Sequence, residues 1–204
     1  MVKGAPMRAT LALLVEAQLH ERLRARASPA VRALFDRPPV ASEWVDGGCM
    51  DEIEQLLFEE VGVERLRALA RGAALRGMGP MLRPIVEGVL RVFGASPGSL
   101  AARAGMIVGQ SARGIEAEFV STGRTSGTLV LRFPHARPPP GKFHALVGVI
   151  DAFYELSQTT GTVYWRLIDP YGGQLFADNF ATDQANLTLR AGGRYTLLVE
   201  GSVT

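Results

Sequence analysis

Residues 114–133 read GIEAEFVSTGRTSGTLVLRF, and within this stretch the apolar period of the chain changes from helical to strand-like. Ile115, Ala117 and Phe119 alternate with two glutamates, which is the pattern of a strand with one face toward water. After a turn-rich segment, residues 128–133 alternate in the same way. The two runs predict an antiparallel hairpin.

On the N-terminal side of this hairpin, the first 110 residues carry helical periodicity. Apolar residues recur three and four positions apart in segments bounded by glycine, proline or Ser-Pro pairs. Ser28-Pro29 predicts a capped helix start, because a serine oxygen accepts from the first turn and proline fits the first helical position. A helix is expected from about Met50 to Val61, where Gly62 breaks it, and a further helix is expected after this glycine. Residues 40–48, which include Trp44, are expected to form a loop.

On the C-terminal side, a Pro-rich connector leads into a helix over residues 143–156, and Gly-rich turns then separate short strands. This order predicts an α+β fold: an N-terminal helical half followed by a small, mostly antiparallel sheet with one helix packed on it. We expect one α+β domain over residues 1–168. Residues 169–204 are then a C-terminal β-hairpin extension, which either joins the same sheet or forms a separate β module.

Composition narrows the function classes. The chain has 204 residues, 47% of them hydrophobic, and 22 Lys plus Arg against 20 Asp plus Glu. The net charge of +2 forms no dense cationic field, so no nucleic-acid partner is expected. Cys49 is the single cysteine, which excludes an intramolecular disulfide and fits a reducing, cytoplasmic compartment. No apolar run approaches the roughly 18 residues that span a bilayer.

The reactive side chains form no recognisable catalytic pattern. Ser111 lacks the Gly-x-Ser-x-Gly spacing of a nucleophile elbow and is predicted to end a helix. The three histidines, His20, His135 and His144, lack metal-ligand spacing, and each is predicted to be solvated. We therefore predict that the chain is not an enzyme and holds no metal and no cofactor.

Two further groups of reactive side chains lie in or beside the predicted helix that begins near residue 50. The carboxylates of residues 51–60 are expected to line a solvated helix face. Cys49 lies at the helix start, where a helix dipole lowers the pKa of a thiol, although an inert, partly buried cysteine is the favoured interpretation.

Several segments together resemble a family of proteins largely confined to myxobacteria that has no assigned activity. The resemblance covers roughly residues 8–168 and is carried by Trp44, GVERL at 62–66, MGPMLRP at 78–84, FGASP at 93–97 and SGTLVLR at 126–132. The order of elements is also similar to the fold shared by haem-nitric-oxide-binding domains, four-vinyl-reductase ligand-binding domains and transport-particle subunits. That likeness implies a small apolar ligand between helices and sheet, or a dimerisation surface.

The chain departs from the haem sensors in two respects. Those proteins need a proximal histidine on a late helix and a Tyr-x-Ser-x-Arg run, and neither appears here. Residues 164–172 and 193–201 also resemble bacterial pre-peptidase β-sandwich modules, but two hairpins with Asp-Pro-x-Gly and Gly-Gly turns are the favoured interpretation.

The function predicted is a non-enzymatic binding or sensing module. Its ligand would be small and apolar, in a crevice between helices and sheet that is lined by Leu82, Val86, Leu90, Phe119, Leu131, Leu146 and Ile150. The alternative is a protein-interaction domain that acts as a homodimer, or binds a regulatory protein, without any ligand. In that case the same residues form only core.

Overall fold

The computed structural model describes residues 1–77, 102–122, 126–134, 137–156, 163–179 and 195–202. The chain divides into two compact units. The first comprises Met1–Leu82 and Pro138–Ala152, and the second comprises Arg83–Arg137 and Phe153–Thr204. Each unit has its own secondary structure and its own buried side chains.

The first unit is helical. Its core consists of apolar residues at helical spacing, with Met7, Leu11 and Leu14 buried on one helix. The helices of this unit are α1 (Gly4–Glu16), α2 (His20–Arg26), α3 (Pro29–Asp36), α4 (Gly47–Gly77) and α6 (Pro140–Leu156), whose residues after Ala152 belong to the second unit.

Local signals set the ends of these helices. Ser28 caps α3, since its Oγ accepts from the backbone N–H of Val31 at 3.3 Å, as predicted. The expected break at Gly62 is confirmed, because this residue has a φ of 75° inside α4. After α1, the N–H of Leu19 donates to the carbonyl of Leu14 at 2.9 Å, and Gln18 takes a φ of 58°. That is a Schellman-type end with a residue other than glycine in the left-handed position.

The segment around Trp44 is not wholly a loop, and the prediction for residues 40–48 was wrong in this part. Strand β2 (Trp44–Val45) pairs antiparallel with β1 (Val2–Lys3), and the Lys3 ammonium lies 4.3 Å from the centre of the Trp44 ring. Periodicity does not reveal a strand of two residues, so only the pairing identifies it.

Over its described residues, the second unit contains five strands that form one antiparallel sheet. Its elements are α5 (Ala104–Ser111), β3 (Glu116–Ser121), β4 (Ser126–Arg132), β5 (Val163–Ile168), β6 (Gln174–Asn179) and β7 (Thr196–Ser202). The predicted hairpin is confirmed as β3–β4, with Phe119 opposite Leu129. The fold class, an N-terminal helical half followed by a small antiparallel sheet, is confirmed as well.

The strand order is β3-β4-β7-β5-β6, so the last described strand of the chain lies in the middle of the sheet. Strands β6 and β7 follow residue 168 and belong to the same sheet as β3, β4 and β5. The domain division at residue 168 stays a prediction. The sequence pattern also predicts a helix from Pro80 to Phe93 and a strand near residues 186–190, and both segments lie outside the described residues.

Candidate functional site

One face of the sheet in the second unit is apolar, and the strand register shows which residues form it. Leu131 of β4 lies opposite Leu197 of β7, which in turn lies opposite Leu167 of β5. These three side chains are at most 3% exposed. They form a row across the central strands that water does not reach.

The next row on the same face is more open. Phe119 of β3 lies opposite Leu129 of β4, and both side chains are half-buried. Gly127 is two residues from Leu129 on the same strand, and a side chain there would overlap the Phe119 ring. Phe119 therefore leans diagonally over the glycine and covers its backbone. Phe119 and Leu129 present an apolar, partly accessible surface beside the buried row.

The predicted crevice lining divides into three groups. Phe119 and Leu131 belong to the apolar sheet face just described, where Leu131 is buried. Leu146 and Ile150 belong to α6 in the first unit, where Ile150 is 7% exposed and Leu146 is half-buried. The other three residues lie outside the described part of the chain: Leu82, Val86 and Leu90. That all seven line one crevice stays a prediction. The alternation placed Leu129 on the same strand face as Leu131, but the predicted lining included neither Leu129 nor Leu197, which the register adds to the face.

In the first unit, α6 approaches α4 so closely that glycine is required at two positions. A Cβ on Gly141 would lie 2.5 Å from the carbonyl oxygen of Glu54. A Cβ on Gly148 would overlap the carbonyl oxygen of Arg67 and lie 3.1 Å from the Cβ of Ala70. The two glycines are seven residues apart, which places them on the same face of the helix. We call the face-to-face packing of these two helices the α4–α6 contact.

Charged side chains lie inside the α4–α6 contact. The Lys142 Nζ is 3.0 Å from Asp51 Oδ1 and 3.1 Å from Glu54 Oε2, and the Lys142 and Glu54 side chains are 12% and 14% exposed. The Gln55 Oε1 accepts from the backbone N–H of Gly141 at 3.0 Å, at the start of α6. The prediction that the carboxylates of residues 51–60 line a solvated face was wrong for Glu54, because α6 covers it.

The pKa values in the cluster are shifted by burial and by the neighbouring charges. Burial raises the pKa of Glu54 to about 7, with Lys142 acting against the shift and Asp51 adding to it. Burial alone disfavours the Lys142 ammonium, but the carboxylates of Glu54 and Asp51 outweigh it and raise the pKa of Lys142. Farther along α6, burial raises the pKa of Asp151 to about 6 against the opposing guanidinium groups of Arg67 and Arg71.

The two described histidines also belong to the first unit. His144 of α6 is fully buried, with its ring stacked on Phe58 at a centroid distance of 5.3 Å, so the prediction that it is solvated was wrong. The His20 Nδ1 is 3.0 Å from Glu21 Oε1, and its ring meets Phe35 edge-on. His135 lies outside the described residues.

The remaining reactive candidates carry no catalytic geometry. The Ser111 hydroxyl donates to the carbonyls of Ile107 and Val108 of its own helix, as expected for a serine that ends a helix. Burial, with the charges of Asp46 and Glu52, raises the pKa of the Cys49 thiol, which favours the inert interpretation over an activated thiolate. Within the described ranges, no group of three or more His, Cys, Asp or Glu side chains is placed to hold a metal ion.

Comparison with solved structures places the fold. An oxygen-binding H-NOX domain related to soluble guanylate cyclases matches with a TM-score of 0.56 at 10% identity, over 98% of this chain and 94% of that one. The chain has the H-NOX fold. A variant of the T. tengcongensis H-NOX domain matches with a TM-score of 0.58 at 12% identity, over 98% and 97% of the two chains. A Cs H-NOX variant matches with a TM-score of 0.60 at 12% identity, over 98% and 96%. No protein-family model and no curated protein matches the sequence.

The H-NOX fold implies haem, and the residues that the structure describes do not fit it. Helix α5, which precedes the sheet, reads AGMIVGQS and offers no imidazole. His144 is enclosed in the first unit against Phe58, and His20 is held beside Glu21. The Tyr-x-Ser-x-Arg run is absent from the whole sequence. Among the described helices, none is long and apolar enough to cross a membrane.

Proposed function

We propose that this chain is a non-enzymatic binding or sensing module that takes a small apolar ligand on the apolar sheet face, without haem. The observation that carries the proposal is the half-buried pair Phe119 and Leu129 beside a fully buried row of leucines. Apolar surface that remains partly accessible in a folded protein favours an apolar partner, because covering it removes it from water. The H-NOX fold supports a sensing role by analogy alone.

The proposal includes a non-enzymatic role and a cytoplasmic location. The Ser111 hydroxyl donates to backbone carbonyls of its own helix, and burial raises the pKa of the Cys49 thiol. Neither side chain is therefore activated as a nucleophile. A lone cysteine is compatible with a reducing compartment.

The test is native mass spectrometry of the full chain isolated from its own cells. We expect an added mass under native conditions that disappears under denaturing conditions. Phe119→Ala and Leu129→Ala should each lower the fraction of loaded protein. Val120→Ala is the matched control, because Val120 neighbours Phe119 on β3, is 46% exposed and points to the opposite face. Equal loading of all four proteins would exclude the sheet face as the ligand site.

Haem binding is tested on the same protein. Haemin added to the purified chain should produce no imidazole-ligated Soret spectrum, because the described imidazoles are enclosed or held elsewhere. A stoichiometric spectrum of this kind would contradict the haem-free part of the proposal.

The second candidate is a homodimeric interaction domain without ligand. It is favoured by the two outermost of the described strands, β3 and β6, which carry the exposed apolar residues Val120 and Leu175. Light scattering that gives twice the monomer mass, together with no added mass in the native spectrum, would support this candidate over a ligand.

A further inference from the structure

The α4–α6 contact contains an imbalance of charge. Two carboxylates, Asp51 and Glu54, meet one ammonium, that of Lys142, at 3.0 and 3.1 Å. When all three groups are ionised, the cluster carries one uncompensated negative charge. An unbalanced charge in a water-poor contact is costly, and a carboxyl group relieves that cost when it takes up a proton.

The geometry of the contact identifies which carboxyl takes the proton. Glu54 is 14% exposed, whereas Asp51 is 26% exposed and is therefore better solvated. While α6 is docked, its backbone at Gly141 lies against the carbonyl group of Glu54 on α4. This close approach leaves no room for water between the two backbones at that point. Undocking of α6 would expose the Glu54 side chain to water and remove Lys142 from it.

The other charged groups around Glu54 do not balance the cluster. On α6, Lys142 and His144 are the titratable residues that follow Gly141, the residue in contact with the Glu54 backbone. The His144 ring is stacked on Phe58. From α2, Arg22 and Arg26 reach α4 but form ion pairs with glutamates farther along the helix, Glu59 and Glu60.

We propose that the α4–α6 contact is a proton-linked latch, in which α6 docks more firmly when Glu54 carries a proton and opens more readily when that carboxyl ionises. Helix α6 is one of the segments in which the chain passes from the first unit to the second, here after Ala152. The latch therefore makes the attachment of this connecting helix to the first unit depend on pH near neutrality.

The size of the effect follows from linkage. The pKa of Glu54 is about 7 when docked and 4.5 in the ordinary state. A carboxyl with these two values raises the opening equilibrium about tenfold between pH 6 and pH 8. Asp151, at the other end of the contact, faces Arg67 and Arg71 and has a docked pKa of about 6. It adds a smaller change over that range, because it is already largely ionised at pH 7.

Hydrogen exchange of the full chain at pH 6, 7 and 8, corrected for the intrinsic rate, tests the latch. The protection of the amides of residues 143–150 should fall about tenfold between pH 6 and 8. The amides of residues 11–16 in α1 belong to the same unit and should stay unchanged. An equal fall in both segments would overturn the latch, because the charge cluster would then act only on global stability.

Three variants assign the effect. Glu54→Gln should leave only the smaller change that comes from Asp151, and Glu64→Gln should retain the full change, because Glu64 is an exposed glutamate on the same helix. Asp51→Asn balances the cluster and should reduce the change. The same tenfold fall in wild type and Glu54→Gln would overturn the proposal. If Glu54→Gln does not fold, an undiminished change in Asp51→Asn would overturn it instead.

Discussion

The two units of the molecule bury different chemistry. The first encloses the side chains of Lys142 and Glu54 where two helices meet across glycines. The sheet of the second, over its described strands, buries leucines in register, such as Leu131 and Leu197. The α4–α6 contact therefore depends on charge and on backbone fit, whereas the sheet face depends on apolar area. Under the two proposals above, the first unit responds to pH and the second to an apolar ligand.

The largest expected effect comes from removing the cation of the first unit. Lys142→Met should lower the free energy of unfolding by about 4 kcal/mol at pH 8, because it leaves two carboxylates with no cation beside them. The loss should be smaller at pH 5. The reason is that the pKa of Glu54 is raised, so this carboxyl is largely protonated at pH 5 and needs no cation beside it. The stability that protonated Glu54 contributes to the fold is fully present below about pH 4.5 and is lost as the pH rises through about 7.

Urea unfolding at both pH values measures this effect. Lys3→Met is the matched control, since Lys3 is the other lysine and lies over the Trp44 ring near the surface. It should cost less than about 1 kcal/mol. If both variants lost the same free energy of unfolding, the proposed difference between a buried and an exposed lysine would be contradicted.

The corresponding change in the second unit creates a cavity. Leu197 is fully buried on the central strand β7, and Leu197→Ala should destabilise the sheet by about 3 kcal/mol. Leu175→Ala, at a side chain that is 40% exposed on β6, should change stability by less than about 0.5 kcal/mol. Hydrogen exchange of the β4 and β7 amides measures both. In contrast to Lys142→Met, the loss should be the same at pH 5 and pH 8.

Backbone fit in the first unit is tested by one methyl group. Gly148→Ala should cost about 2 kcal/mol, because the new Cβ overlaps the carbonyl oxygen of Arg67 and forces α6 away from α4. Gly109→Ala is the helical control in the second unit, where a Cβ meets nothing within 4 Å, and it should stabilise by up to about 1 kcal/mol. Thermal unfolding that gave both variants the same sign would contradict the close contact.

The smallest expected effect is a gain at the end of α1. Gln18 holds a φ of 58°, a region that glycine enters without strain. Gln18→Gly should raise the free energy of unfolding by about 0.5 kcal/mol, after the greater freedom of glycine in the unfolded chain is subtracted. Gln18→Ala keeps the strain and should give no gain. Denaturation midpoints of the two variants decide the point.

Much of the fold was predictable from local pattern. The alternation around Phe119 predicted the hairpin, Ser28-Pro29 predicted the start of α3, and Gly62 predicted the break in α4. These features depend on residues a few positions apart, whose shared face is set by the helix or strand repeat.

The candidate sites were less predictable because they depend on distant partners. Nothing near Glu54 in the sequence indicates that Lys142 will cover it, and the same acidic helix face would be solvated without α6. His144 carries a polar imidazole ring, yet the side chain is fully buried and stacks on Phe58. Pairing across about ninety residues leaves no periodic trace.

By itself, the amino-acid sequence determined the kinds of elements and their order, helices first and antiparallel strands after, because hydrophobic periodicity is a local property. Tertiary structure alone decided that β7 lies between β4 and β5, that Trp44–Val45 pairs with the chain start, and that a lysine lies between two carboxylates under α6. Each of these requires segments far apart in the chain to meet, and the free energy of such contacts comes from burial and charge that only the assembled core provides.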